Sequence, residues 1–147
     1  MTRSRIVLAA LLAALASPAF ADQAPAADVA ANPALLSGSR WMMVLPKGTD
    51  CEVPPEIDFR KDGTIEGNAG CNDFRGSWKA EGGKIRIERK NITSRNCGEK
   101  FLKLEQAFGS AVDGAASLKA DGKELILVSA DGKELGRVTP VVAGSCD

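Results

Sequence analysis

Four carboxylates sit close together in the middle of this sequence: Asp58, Asp62, Glu66 and Asp73. General acid–base chemistry needs two such groups held near one substrate. Asp58 and Glu66 flank the Asp62-Gly63 pair, so a hairpin turning there would set them opposite each other. Asp62 itself reads better as a turn residue. The chain has no His and no Tyr. That excludes Ser-His-Asp and Cys-His catalysis, imidazole metal ligands and an imidazole pH switch. The carboxylate spacing is not that of an EF-hand loop, so a calcium site is not expected either. Surface carboxylates are common, and the reading is of a protein with no catalytic residue, no metal and no cofactor.

Two other groups of residues could carry chemistry. Arg86, Arg89, Lys90 and Arg95 form a basic cluster able to attract an anionic surface. Ile85 and Ile87 interleave with its first part and Glu88 interrupts it, which is the pattern of a solvated strand face. Lys and Arg total 19 against 19 Asp and Glu, so the basic surplus usual for nucleic-acid binding is missing and no nucleic-acid partner is expected. The four cysteines, Cys51, Cys71, Cys97 and Cys146, form no CxxC pair. Zinc and redox roles are therefore disfavoured, and an even number suggests disulfides. Three pairings are open, and spacing alone does not choose among them.

The elements that must position these groups are mostly strands. Lys84-Ile85-Arg86-Ile87-Glu88-Arg89 and Glu56-Ile57-Asp58-Phe59-Arg60 alternate with period two, setting apolar residues inward and charges outward. Turns are signalled at Asp62-Gly63, Glu81-Gly82-Gly83, Asp121-Gly122 and Asp131-Gly132. The segment Ala120-Asp-Gly-Lys-Glu-Leu125 recurs ten residues later at 130–135, the spacing of successive hairpin strands. Strands are expected at 40–45, 55–60, 64–68, 74–79, 84–89, 115–120, 124–130 and 133–139. One segment breaks the period. Phe101, Leu104, Phe108, Ala111 and Val112 have helical spacing, Asn96 and Glu99 resemble a capping box, and Asp113-Gly114 resembles a helix stop. A helix over 97–113 is expected, with Phe101 and Phe108 packed on the sheet. The fold class is thus mainly β (α+β): an antiparallel, strongly curved sheet or barrel of about eight short strands with one packed helix.

The first residues read as an export signal. Arg3 and Arg5 precede an uncharged run of ten residues at 6–15, and Ala19-Phe20-Ala21 fits a cleavage site with Asp22 as the new N-terminus. The run is too short for a membrane span, which needs about 20 apolar residues. No Cys lies near the cleavage point, so lipid anchoring is not expected. Removal of 1–21 leaves 17 basic against 19 acidic residues, a formal net of −2. Residues 22–34 are Ala- and Pro-rich and read as a flexible leader. A short helix is conceivable over 26–31, with no face to bury. The folded domain is placed at 35–140, followed by a tail at 141–147.

Gly70-Cys71-Asn72-Asp73-Phe74-Arg75-Gly76-Ser77-Trp78 resembles the Gly-Cys-Asn-x-Phe-x-Gly-x-aromatic signature of the META domain family, which includes the bacterial heat-shock protein HslJ. Leu36 and Trp41 resemble the family's opening strand. Pro55, Ile57, Phe59, Asp62-Gly63 and Gly67 resemble the hairpin before the signature. Thr93 with Cys97, Glu105, Phe108, Leu125, Leu127 and Gly132 follow in order. The resemblance implies a lipocalin-like curved sheet with a helix across it. It also implies a Cys71–Cys97 disulfide, leaving Cys51 and Cys146, which the family pattern lacks, to pair with each other. In physical terms Gly67, Gly70 and Gly76 allow backbone that a Cβ would hinder, Asn72 suits a turn, and Phe74 and Trp78, four apart, share one strand face. The signature reads as a structural corner, a bulge and a disulfide that pin the sheet; the alternative is a binding site at Asn72, Asp73 and Arg75. The function expected is a non-enzymatic periplasmic or secreted scaffold connected with envelope stress, binding a protein or small ligand as a monomer with no integral membrane segment after signal cleavage. The alternatives are a secreted inhibitor of a protease or other hydrolase, with 22–34 inserted in the target's cleft, and a carrier of a small apolar ligand inside the barrel.

Overall fold

A computed structural model describes residues 24–46 and 54–141. The elements in chain order are α1 (Ala26–Ala31), a 3-10 turn (Pro33–Leu36), β1 (Ser39–Met43), β2 (Glu56–Phe59), β3 (Thr64–Asn68), β4 (Asp73–Glu81), β5 (Lys84–Lys90), α2 (Glu99–Gly114), β6 (Ser117–Asp121), β7 (Glu124–Val128) and β8 (Glu134–Pro140). Each of the eight expected strands is present, with bounds moved by no more than two residues. All neighbours are antiparallel in one sheet of order β5-β4-β3-β2-β1-β8-β7-β6. Two meanders, β1–β5 and β6–β8, are joined by α2 in sequence and by the β1–β8 ladder in space. The sheet curls into a half-barrel, and its ends meet where Ile85 N of β5 donates to the O of Ala116, the residue just before β6, at 3.0 Å.

The inward side chains fill this curl. Trp41, Ile57, Ile65, Phe74, Leu125, Val112 and Phe108 are each at most 2% exposed. Burying each of the larger ones stabilises the fold by roughly 1.5–3 kcal/mol. The space left among them is about 10 Å³, lined by Leu36, Trp41, Ile57, Phe59 and Leu125 among others. That barely admits one water.

Helix α2 packs on β5 and β8, covering one end strand of the sheet. It starts later than the sequence suggests. Gly98, with φ of 90°, precedes the first turn, and no side chain caps it. Asn96 Oδ1 accepts from Gly98 N at 3.3 Å and never reaches a helical N–H, so no capping box forms. At the far end Gly114 is the last helical residue, and Ala115 N bonds back to Val112 O. Phe108 is buried against the Phe74 ring, 5.9 Å between centroids, whereas Phe101 is only half-buried and lies outside the core.

The reading of 22–34 as a flexible leader with nothing to bury is corrected over its described part, 24–34. Helix α1 lies on β6, with Val29 fully buried and Ala26 nearly so. Six residues do not hold a helix in water unaided, so this packing holds it. Asn32 then accepts from Ala34 N and Pro33 opens the 3-10 turn. The two small apolar side chains suffice because they close on a strand far along the chain, where they also cover the other end of the sheet.

Candidate functional site

The signature residues occupy the turn between β3 and β4 and the start of β4. Cys71 is bonded to Cys97, S–S 2.01 Å, as the resemblance implies. Cys51 and Cys146 lie outside the described residues. Gly70 has φ of 113°, and a Cβ there would sit 3.2 Å from Leu104. At Gly67 a Cβ would fall 2.0 Å from Glu56 O, and at Gly76 1.9 Å from Glu88 O. These glycines therefore let neighbouring strands approach closely. Phe74 and Trp78 both point into the core, and Trp78 Nε1 donates to Arg60 O at 3.1 Å. The ladder keeps its register through the signature, so no bulge forms there; the irregularity lies at Leu127/Val128 in β7.

Asn72 does more than shape its own turn. It is buried, and its φ is not positive. Its Oδ1 accepts from Thr93 Oγ1 at 2.9 Å and from Arg95 N at 2.6 Å, and its Nδ2 donates to Glu105 Oε2 at 2.9 Å. One side chain thus ties the signature turn, the 91–98 connection and α2. Asp73 continues the tie: its N donates to Thr93 Oγ1, its carboxylate accepts from Asn68 Nδ2 at 2.8 Å, and it pairs with Arg95. The Asn68 hydrogen bond first, then the Arg95 charge, hold the Asp73 carboxyl below its ordinary value. Thr93, Arg95 and Glu105 are partners that spacing alone could not supply, since each lies more than twenty residues from the turn.

Residues 91 and 93 of that pinned connection help line a hollow of about 760 Å³ over the outer face of β1–β4, together with Arg40, Glu56, Asp58, Glu66, Asp73 and Arg75. Asp58 and Glu66 are indeed directly opposed across the β2–β3 hairpin. Glu66 is held by Arg60 and approached by Arg75 at 3.9 Å, and Arg40 pairs with Glu56 at 2.7 Å. Asp62 accepts from Thr64 N and Thr64 Oγ1, which lowers its pKa and confirms it as the turn residue. Among the described residues no three His, Cys, Asp or Glu side chains converge as metal ligands. Of the candidate binding residues, Asn72 is occupied internally, Asp73 is half committed to Arg95, and Arg75 projects from the face at 77% exposure.

The basic cluster is dispersed. Arg86 and Lys90 both engage Glu88, at 2.7 and 3.4 Å, and Arg95 engages Asp73. Arg89 is not on the solvated face. It turns inward, 11% exposed, forms two bonds to Asp113 of α2 at 3.0 and 2.8 Å, and stands 5.6 Å over the Phe74 ring. Strict alternation already assigns position 89 to the inner side of β5, and that phase is the signal that charge alone obscures.

A family model for the META domain matches residues 34–141. The chain belongs to the META domain family. Among solved structures, an NMR structure of a protein from Burkholderia xenovorans is similar with a TM-score of 0.60 and 18% identity, covering 88% of this chain and 98% of that one. A second NMR structure is similar with a TM-score of 0.51 and 21% identity, covering 74% of this chain and 93% of that one. At such identities the likeness concerns the fold. No curated protein matches the chain. Within the META domain the match starts at the 3-10 turn, so α1 precedes the matched region. No helix among the described residues is long and apolar enough to cross a membrane.

Proposed function

We propose that this META domain is an exported, non-enzymatic scaffold that presents a rigid polar surface for binding in the cell envelope, in connection with stress. One observation carries the reading: the signature is engaged internally. Cys71 is in the disulfide, Asn72 makes three bonds within the protein, and Phe74 and Trp78 are core. A structural disulfide suits an oxidising compartment, and residues 1–21 have the form of a cleavable signal. The paired carboxylates Asp58 and Glu66 lie on an open face where Glu66 is already engaged by Arg60, and Thr93 Oγ1 is bonded to Asn72, which is poor support for catalysis.

The two alternatives lose support. A carrier of apolar ligands needs a cavity of a few hundred Å³, and the interior holds about 10 Å³. An inhibitor that inserts its leader needs that leader free, and α1 is packed on β6. The test is N-terminal sequencing and thiol titration of the protein from a periplasmic fraction, followed by activity screening of the purified oxidised form. A chain starting at Asp22, with Cys71 and Cys97 blocked and no turnover, is the expected result. Saturable turnover of any substrate overturns the reading, as does a reduced protein recovered from the cytoplasm.

A further inference from the structure

We propose that the outer face of β4 and β5 docks an extended acidic segment of a partner protein. This goes beyond the scaffold reading by naming the surface and the partner's chemistry. Alternation turns Asp73, Arg75, Ser77, Lys79 and Glu81 of β4 and Lys84, Arg86, Glu88 and Lys90 of β5 outward. The register sets Arg75 directly opposite Lys90 and Lys79 directly opposite Arg86. Like charges in opposed positions destabilise a ladder, and here two such pairs occupy one hairpin of a chain with zero formal net charge. An anion bridging each pair removes the repulsion. Cations still outnumber acids on the outer face of the two strands, five to three: Asp73 is engaged by Arg95, Glu81 lies opposite Lys84, and Glu66 of the neighbouring β3 approaches Arg75 at 3.9 Å. Glu88 is shared between Arg86 and Lys90, Arg75 and Arg86 are 77% and 79% exposed, and Lys79 and Lys84 have no ion pair among the described residues.

Each cation pair borders a hollow. Arg75 and Lys90 line one of about 490 Å³ whose wall also includes Thr64, Ser77 and the Arg60–Glu66 ion pair. Lys79 and Arg86, with Lys84 and the single acid Glu81, line another of about 590 Å³. Arg75 and Lys79 are four residues apart on one strand, so the two anion positions are about 13 Å apart. An extended peptide places its residues i and i+4 on one side at that same distance, so two acidic side chains of a single strand reach both pairs. Other polyanions fit less well. The core aromatics are buried, so nothing on this face stacks with nucleotide bases. The exposed large apolar side chains, Leu35, Ile92 and Leu102, all lie outside these strands, so nothing here enters lipid.

The test is titration of the full oxidised protein with a short poly-L-glutamate peptide, which its own charge keeps extended, at low and at physiological salt. Expected are saturable binding that weakens about tenfold with salt, and a loss of about tenfold or more in K79E/R86E. K79Q/R86Q should be intermediate in binding and K119E/K123E unchanged; K79E/R86E should melt like the parent and K79Q/R86Q at or slightly above it, since the repulsion is gone. Absence of binding at low salt, or equal binding by K79E/R86E, overturns the proposal. So does tighter binding of single-stranded DNA or of phosphatidylglycerol vesicles than of the peptide. Export and turnover play no part in the assay, so its failure leaves the scaffold reading standing.

Discussion

Asn72 shows how one side chain can replace a secondary-structure contact. Segment 91–98 lies outside the ladder, yet Asn72 Oδ1 takes a hydroxyl and an amide from it while Nδ2 holds Glu105. Asn72→Ala orphans these partners, and urea unfolding should register a loss of about 2–4 kcal/mol. Asn72→Asp keeps the acceptor but sets a second carboxylate against Glu105. The lost donor and the mutual repulsion should make this variant at least as unstable as Asn72→Ala at pH 7, and a clearly smaller loss would argue against the Glu105 contact. Asn68 and then Arg95 depress the folded pKa of Asp73, so its contribution is present above the unfolded carboxylate value near about pH 4 and disappears as pH falls through the folded one. Asp73→Asn should therefore flatten the acid limb of the stability profile, and parent and variant should differ less at acid pH than at pH 7.

At the scale of elements, α2 is held to the sheet by an ion pair placed under it. Arg89 lies between the Phe74 ring and Asp113, and a Cβ at Gly109 would fall 2.2 Å from its Nη2, so the helix is cut away where the guanidinium passes. Removing one partner strands the other. Asp113→Ala should cost about 1–3 kcal/mol, tempered because Asp113 is 47% exposed. Arg89→Met keeps the apolar fill and should cost less, both read by urea midpoint. The reverse order would mean that packing of the arginine stem, rather than charge, secures the helix. The strands were legible because one face of each meets a filled interior, which forces period two, and the Asp-Gly pairs fix the turns. The Asp58/Glu66 opposition followed from that register. The buried α1 and the late start of α2 were not legible locally; the inward side of Arg89 was legible in the strand phase, but its partner was not. Val29 needs β6, Glu99 needs Gly98 to break the chain's direction, and Arg89 needs a helix arriving from the next element.

Across the whole molecule the disulfide and the Asn72 contacts act on the same joint, the place where the first meander hands over to α2. Cys71 and Cys97 are 26 residues apart in sequence, and closing such a loop contributes about 3.5 kcal/mol through the unfolded chain. The double variant C71S/C97S should lower stability by about that amount if the gain is mainly entropic. It should also loosen the folded state in one place. The amides of Thr93 and Arg95, which donate to Asp73 O and to Asn72 Oδ1, should exchange with solvent faster by more than the global loss explains. Amides in the β6–β8 meander, where Arg137 is tied to Asp121, Glu124 and Glu134, should change only with global unfolding. Hydrogen exchange resolved by residue separates the two. Uniform loss across both meanders would assign the disulfide to the unfolded state alone, whereas loss confined to 91–98 shows that it also holds the wall of the outer hollow in place.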